Sequence, residues 1–196
     1  MCDENIRPEN RPEKVKYKTV KRYNIPNHTH ELTFSCFKRQ PLLRDERICR
    51  YLADAISRTK ENLHYGLLAY VFMPEHVHLI IIPEREVYSV SEFLTSAKQS
   101  VARKQLIYLR KNDPDGLKRL ETGQKHIPYR FWMDGDGYNR NIVSKDALTN
   151  MIDYIHYNPV KKGYVKSSVD WKWSSAGFWI AGNDGEIQID KHLFPA

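Results

Sequence analysis

Two histidines separated by a single residue stand at the head of an apolar run, in the stretch Met-Pro-Glu-His-Val-His-Leu-Ile-Ile-Ile-Pro at residues 73–83. Side chains alternate along a β-strand, so His76 and His78 point to the same face with their rings close together. An imidazole is costly to bury in a sheet unless it has polar partners. The spacing therefore indicates a pair of nitrogen ligands that can bind one metal ion.

A tyrosine and an asparagine one helical turn apart form the second candidate group. Tyr154 and Asn158 are four residues apart on a predicted helix and so share a face, which leaves Ile152 and Ile155 for the core. A phenol is a weak nucleophile at neutral pH because its pKa is ~10. A divalent ion would draw charge from a phosphate group and ease attack on its phosphorus. Nitrogen and oxygen ligands together suit Mg²⁺ or Mn²⁺.

Three motifs, in this order, resemble those of one enzyme superfamily. Residues 73–79 are similar to the Met-Pro-x-His-x-His signature of the HUH superfamily, named for histidine, hydrophobic residue, histidine. Residues 153–163 resemble the catalytic-tyrosine helix of the single-tyrosine transposases. Trp-Lys-Trp-Ser-Ser at residues 171–175 is similar to a segment typical of their REP-associated branch. From about His30 to Phe178, the chain therefore resembles the REP-associated tyrosine transposases.

This resemblance implies an enzyme that cuts single-stranded DNA beside a folded hairpin and transfers the strand. In the family, the tyrosine attacks phosphorus and stays bound to the 5′ phosphate, which frees a 3′ hydroxyl that can reverse the reaction. Carried over by motif, Tyr154 is the nucleophile, and the ligands of Mg²⁺ or Mn²⁺ are His76, His78 and Asn158. Transposon-borne relatives often have glutamine where Asn158 stands, and asparagine offers the same carbonyl oxygen from a shorter side chain.

The composition indicates a polyanionic partner. The chain has 196 residues and a formal net charge of +7, which favours binding to nucleic acid. No apolar run reaches the ~20 residues of a membrane-spanning helix, and the first residues lack the pattern of a signal peptide. We therefore expect a cytoplasmic, nucleoid-associated protein that binds no membrane. The three cysteines have no C-x-x-C spacing and predict neither a disulfide framework nor a zinc site.

Hydrophobic periodicity predicts the elements that must position these residues. Strands are expected at residues 30–37, 65–73, 76–82 and 127–132, and helices at residues 44–60, 89–110 and 144–157, the last ended by Asn158-Pro159. Between them, residues 111–124 are expected to be flexible. The order strand, helix, strand, strand, helix, strand is typical of the ferredoxin-like split βαβ fold, in the α+β class. We expect an antiparallel sheet with helices on one face, plus an added C-terminal catalytic helix.

Composition along the chain suggests three parts. Residues 1–25 are interpreted as a basic N-terminal arm, residues 26–180 as the HUH tyrosine transposase domain, and residues 181–196 as a polar C-terminal tail. Cations on the long helix at residues 89–110 are either a solvated face or a DNA contact. The candidate DNA contacts are Lys98, Gln99, Arg103 and Trp132, although an aromatic residue in a short strand, such as Trp132, more often belongs to the core than to a base-stacking surface.

Other residues near these motifs are open to alternative interpretations. The second His-x-His, at His28 and His30, has no matching motif around it and is interpreted as a solvated pair. Tyr157 could share the nucleophile's side of the helix, and only the family pattern selects Tyr154 over it. Tyr157 is then expected to pack against neighbours or to make a secondary contact, and His156 is expected to point away from both tyrosines and to be exposed.

The residues leave two other functions open. The first is a non-catalytic nucleic-acid-binding protein with the same fold, whose sequence would lack one histidine or the tyrosine. The second is a metal phosphoesterase that uses water in place of Tyr154 and leaves no tyrosine adduct. A single-stranded DNA hairpin is the expected partner, and the chain is expected to act as a monomer or a homodimer.

Overall fold

The computed structural model describes residues 24–26, 28–135 and 137–195, so the predicted basic arm lies almost wholly outside the described residues. The strands are β1 (Thr29–Ser35), β2 (Tyr65–Phe72), β3 (His76–Pro83) and β4 (Tyr138–Ile142). The helices are α1 (Glu46–Leu63), α2 (Val90–Asn112), α3 (Pro114–Lys118), α4 (Lys145–Lys161) and α5 (Ala176–Ala181). Within this described part, no helix is both long and apolar enough to span a bilayer.

The four strands form one antiparallel sheet in the order β2-β3-β1-β4. This order, with α1 after β1 and α2 after β3, confirms the expected ferredoxin-like α+β fold. The register pairs Thr33 of β1 with His78 of β3 on one side and with Tyr138 of β4 on the other. Directly paired residues share a face of the sheet, so these three side chains project to the same side.

The face opposite the histidines packs against α1 and α2. Leu32 of β1 and Leu79 of β3 are fully buried there, as strand alternation requires. The two cysteines in the described chain, Cys36 and Cys49, are buried in the same core. Helix α1 adds an apolar stripe at three- and four-residue spacing, formed by Ile48, Leu52, Ala55 and Ile56. This core makes the sheet a rigid support for whatever its other face carries.

Helix α4 covers the histidine face of the sheet. Ile152 and Ile155 are buried, as the helical spacing predicted. Together with Leu148 they pack against aliphatic side chains of the strands, which include Leu68, Ala69, Val71, Ile80 and Ile142. The added C-terminal helix thus lies on the opposite face from α1 and α2, chiefly against β2, which neighbours the strand that holds the histidines.

Residues after α4 cover the free edge of β2. The Phe72 N–H donates to Trp173 O at 2.8 Å, and the Ser175 N–H donates to Tyr70 O at 3.0 Å. Further along the same edge, the Asp190 N–H donates to the β2 backbone at 2.9 Å. The segment predicted as a polar tail therefore packs on the sheet, with its apolar residues Ile187 and Ile189 buried. Such cover prevents an edge strand from pairing with another chain.

The fourth strand is not where the aromatic residues predicted it. It is the polar stretch Tyr138–Ile142, and residues 127–132 contribute isolated bridges instead of a strand. The aromatic enrichment of residues 127–132 reflects burial, since Phe131 and Trp132 insert into the core. Strand β4 escaped prediction because it lies at the sheet edge, where polar side chains face solvent and the usual β-forming residues are not required.

Helix α4 runs to Lys161 and so continues past the predicted end at Asn158-Pro159. Pro159 lacks the N–H that would bond to the carbonyl of Ile155. The Asn158 side chain compensates, because its Nδ2 atom lies 3.4 Å from Ile155 O and 3.1 Å from Tyr154 O. A side-chain amide thus replaces a missing backbone donor and lets the helix pass through its proline.

The stretch expected to be flexible, residues 111–124, contains the short helix α3. Asp113 caps it by accepting the Gly116 N–H at 2.8 Å, and Pro114 occupies its first turn, where a missing N–H costs nothing. The sequence prediction interpreted Pro114 and Gly116 as residues that interrupt a helix, whereas in the structure they lie in the first turn of one.

Candidate functional site

His76 and His78 lie side by side on β3. Their Nε2 atoms are 3.1 Å apart, and their ring centroids are 4.8 Å apart. His78 is almost fully buried and His76 is partly buried, while Val77 between them points into the opposite core. The expectation that the two rings share one face is confirmed.

Each histidine is held through its other ring nitrogen. His76 Nδ1 lies 3.1 Å from Glu75 Oε1. His78 Nδ1 lies 2.9 Å from Thr33 Oγ1 and 3.6 Å from Glu31 Oε1. Carboxylate and hydroxyl partners of this kind fix the ring orientation of a metal-binding histidine and leave its Nε2 for the ion. The two Nε2 atoms consequently converge on one point.

Sequence reasoning missed Glu31 and Thr33. Both residues project from β1 to the histidine face, because they are two residues apart on a strand, as His76 and His78 are on β3. The polar alternation along β1 was the available signal. This alternation pointed to the site only once the structure showed that β1 pairs with β3 and places Thr33 opposite His78.

The site favours the neutral form of His76. Burial, followed by the neighbouring His78, lowers the pKa of His76, and the Glu75 carboxylate offsets part of this effect. A neutral imidazole keeps a nitrogen lone pair, which is the form that binds a metal ion. The facing nitrogens therefore suit a cation.

Tyr154 of α4 lies beside His78. Its ring centroid lies 6.4 Å from that of His78, and its side chain is 52% exposed. The phenol opens into a cleft of about 450 Å³, whose lining residues are Glu31, Thr33, His78, Tyr138, Arg140, Met151 and Tyr154. A substrate in this cleft would contact the phenol and the histidine together.

Asn158 lies one turn beyond Tyr154 and is almost fully buried. Its amide nitrogen bonds back to α4, so Oδ1 is the atom of this side chain suited to a cation. In the part of the chain that the structure describes, no three His, Cys, Asp or Glu side chains cluster as a metal site. Two imidazole nitrogens supplemented by amide, water or phosphate oxygens still fit Mg²⁺ or Mn²⁺.

The structure reverses two expectations about α4. His156 was expected to be exposed, but it is 3% exposed, and its Nε2 lies 2.8 Å from Ser175 Oγ. Burial lowers the pKa of His156 to about 4. Tyr157 was expected to pack or to make a secondary contact, and at 56% exposed it does not pack. The reason is helical geometry: Tyr157 lies three residues from Tyr154 on the outer side, and His156 turns toward the sheet.

The second His-x-His is not a solvated pair. His30 is fully buried, with its ring nitrogens 3.1 Å from Asn139 Oδ1 and 2.8 Å from the Tyr88 hydroxyl. Alternation along β1 turns His30 to the face covered by α1 and α2, away from the pair on β3. It is a hydrogen-bonded core residue.

The residues proposed as DNA contacts gather at one end of the sheet. Lys98, Gln99 and Trp132 line a small cavity of about 180 Å³, and Arg103 is exposed one turn further along α2. Trp132 is only 6% exposed, its indole N–H donates to Lys98 O at 2.9 Å, and its ring packs edge-on against Phe34. Its ring therefore belongs to the core, which is the more frequent of the two roles considered for this residue.

Residues 24–158 match the sequence model of the family described as Transposase IS200 like. The matched range holds His76, His78, Tyr154 and Asn158 and covers more than half of the chain. The chain belongs to this family. It is an HUH single-tyrosine transposase, as the resemblance of its motifs implied.

Relatives of this transposase carry a narrower description. A REP-associated tyrosine transposase of Escherichia coli K12 is 30% identical over 156 residues, which cover 79% of this chain and 80% of the relative. A Haemophilus influenzae protein of the same description is 30% identical over 144 residues, which cover 68% of this chain and 76% of the relative. The solved structure of a REP-associated tyrosine transposase bound to a REP hairpin superimposes with a TM-score of 0.66 at 23% identity, covering 88% of this chain and 91% of that one. This structural likeness supports the fold.

Proposed function

We propose that this transposase cleaves and rejoins single-stranded DNA through a covalent bond between Tyr154 and a 5′ phosphate. The observation that carries the proposal is the position of the Tyr154 ring, with its centroid 6.4 Å from that of His78, whose Nε2 atom lies 3.1 Å from Nε2 of His76. A phenol beside a ligand pair in an open cleft is an arrangement for nucleophilic attack on a phosphodiester.

The proposed reaction exchanges one phosphodiester bond for another. Tyr154 Oη forms a bond to phosphorus as the bond from phosphorus to the 3′ oxygen breaks. The phenol releases its proton and the departing 3′ oxygen gains one, so a phosphotyrosine and a free 3′ hydroxyl result. Attack of a 3′ hydroxyl on the phosphotyrosine restores the phenol and joins the strands without an external energy source.

His76, His78 and the Asn158 oxygen would hold a divalent ion. When bound, Mg²⁺ or Mn²⁺ would withdraw charge from a non-bridging phosphate oxygen, which makes phosphorus easier to attack. Glu31 and Thr33 keep the His78 ring turned toward that position through its Nδ1 atom. In this proposal the sheet positions the two histidine ligands, and α4 carries the nucleophile.

The proposed substrate is a DNA hairpin of the REP type with an unpaired flank. The support is the net charge of +7 and a relative solved with a REP hairpin. A second cleft of about 260 Å³ adjoins the one at Tyr154, because both are lined by Thr33 and Tyr138. This second cleft reaches Lys98, which lies near Gln99 and Arg103 on α2. We propose that these three residues and the edge of Trp132 line the path of the unpaired DNA that flanks the hairpin. Such a substrate would keep the protein with the nucleoid.

We further propose that one chain contains a complete site. Tyr154 lies over His78 of its own chain, and α4 is held there by a buried apolar contact with its own sheet. The nucleophile would then act in the chain that also supplies the ligands. A second copy of the chain is not needed for cleavage.

The test is transfer of labelled DNA to the protein in the presence of Mn²⁺ or Mg²⁺. A hairpin oligonucleotide labelled at its 3′ end leaves the label on the tyrosine-bound fragment, so a denaturing gel shows a shifted protein band. Tyr154→Phe should abolish this band and retain hairpin binding. Tyr157→Phe, at the exposed tyrosine of the same helix, is the matched control and should keep the band.

Each rival function gives a different pattern in this assay. An adduct that persists in Tyr154→Phe would refute the assignment of the nucleophile. Cleavage without any adduct in the parent would indicate a phosphoesterase that uses water. Binding with neither cleavage nor adduct would indicate a nucleic-acid-binding protein without catalysis.

A further inference from the structure

We infer that His156 and Ser175 are positioning residues that set the rotation of α4 and thereby the place of Tyr154 beside His78. The inference rests on the proposed function, because it concerns delivery of the proposed nucleophile. It also assigns a role to the Trp-Lys-Trp-Ser-Ser segment at residues 171–175, for which the motifs alone indicated none.

A buried hydrogen-bond junction connects α4 to the sheet. His156 Nε2 lies 2.8 Å from Ser175 Oγ, and both side chains are almost completely buried. The same Ser175 Oγ accepts the Tyr70 N–H at 2.9 Å and donates to Tyr70 O at 3.3 Å. One hydroxyl thus joins the helix to the backbone of β2.

The apolar contacts of α4 cannot supply this function alone. Leu148, Ile152 and Ile155 hold the helix on the sheet, but dispersion and hydrophobic burial have little directional preference. A hydrogen bond has a required distance and angle, and a buried one is costly to leave unmade. The bond between His156 and Ser175 therefore selects one rotation of α4 among those that the aliphatic surface would tolerate.

The position of His156 on the helix makes it an effective anchor. It lies two residues from both Tyr154 and Asn158, about 200° around the helix axis from each. A rotation of α4 by about 20° would move a group at the helix surface by about 2 Å. Misplacement of a reacting group by about 1 Å can lower a rate by ~100-fold, so the anchor bears directly on catalysis.

Ser175 is itself firmly placed. Its backbone N–H donates to Tyr70 O at 3.0 Å, and the Trp171 indole N–H donates to Phe72 O at 2.9 Å. Strand β2 pairs with β3, where Val71 lies opposite His78. A continuous path of hydrogen bonds and paired strands therefore runs from the histidines through β2 and Ser175 to the helix that carries the nucleophile.

The experiment compares variants that keep or remove the polar contact. His156→Leu and Ser175→Ala remove it, whereas His156→Gln keeps a polar group near the position of Nε2. At saturating labelled hairpin, the first two should form the Tyr154 adduct about 10- to 100-fold more slowly, with the hairpin dissociation constant within twofold of the parent. His156→Gln should recover most of the rate. Loss of stability alone would not separate Gln from Leu in this way.

A second measurement tests the position of Tyr154 without DNA, metal or catalysis. A fluorine label on the Tyr154 ring should change its NMR shift in His156→Leu and Ser175→Ala and keep the parental shift in His156→Gln. An unchanged adduct rate and an unchanged fluorine shift in the first two variants would overturn the inference, as would equal losses in Gln and Leu. Absence of an adduct in the parent would refute the proposed function instead, and the fluorine shifts would still decide the inference.

Discussion

The buried ion pair between Lys60 of α1 and Asp190 of the C-terminal segment supports a quantitative prediction. Lys60 Nζ lies 2.7 Å from Asp190 Oδ2, and the two side chains are 9% and 15% exposed. The same carboxylate oxygen accepts the Leu67 N–H at 2.8 Å, and Lys60 also donates to Gln188 O at 3.2 Å. We predict that Asp190→Asn lowers the free energy of unfolding markedly, because it leaves the Lys60 charge buried without its counter-charge.

The expected loss of unfolding free energy depends on the hydrogen bonds that Asp190→Asn retains. Removing one partner of a buried pair costs roughly 3–5 kcal/mol. The asparagine oxygen still accepts the Leu67 N–H and Lys60 still reaches Gln188 O, so we expect about 3 kcal/mol, at the low end of this range. The double variant Lys60→Met, Asp190→Asn also removes the unpaired Lys60 charge, so its free energy of unfolding should fall by only about 1 kcal/mol.

Urea unfolding followed by tryptophan fluorescence measures these differences. The matched control is Asp115→Asn, because Asp115 and Lys118 form an ion pair of 3.0 Å whose side chains are 82% and 70% exposed. An exposed pair contributes at most ~1 kcal/mol. The reasoning fails if Asp190→Asn costs no more than Asp115→Asn, or if the double variant is no more stable than Asp190→Asn alone.

Two further predictions concern the site. Glu31→Gln should weaken Mn²⁺ binding to the DNA-free protein by about tenfold or more, measured by calorimetry, since the Glu31 carboxylate lies 3.6 Å from His78 Nδ1 and orients that ligand. The control Glu84→Gln, at an exposed glutamate just after β3, should bind as the parent does, and equal affinity in both variants would contradict the role of Glu31. A mixture of Tyr154→Phe and His76→Ala proteins should form no DNA adduct, because in the proposed mechanism each chain uses its own tyrosine. An adduct in that mixture would indicate that the tyrosine acts in a partner's site.

Much of the site was predictable from short-range pattern. The shared face of His76 and His78 follows from strand alternation, and the one-turn spacing of Tyr154 and Asn158 follows from helical periodicity. The order of elements was enough to name the fold, because few topologies accommodate two strand-helix-strand units in one antiparallel sheet. Strand β4 was the exception, since an edge strand can be polar and then resembles a loop.

The parts that sequence reasoning missed depend on contacts between distant segments. Glu31 and Thr33 belong to the site because β1 pairs with β3. His156 is buried in a contact with Ser175, which lies 19 residues further along the chain. Polar residues on an exposed helix face and polar residues in a buried junction have the same sequence pattern. Their environments differ through burial, which is a property of the assembled fold.

The sequence by itself indicated the residues proposed to carry the chemistry. It also determined which of them share a face, because side-chain direction repeats every two residues in a strand and every 3.6 in a helix. Tertiary structure alone decided what holds those residues in place: the carboxylate and hydroxyl behind His78, and the junction through which His156 anchors the helix of Tyr154. These contacts join segments whose separation along the chain bears no relation to their distance in space. Hydrogen bonds act over about 3 Å, so only the packed sheet and helix bring their partners into range.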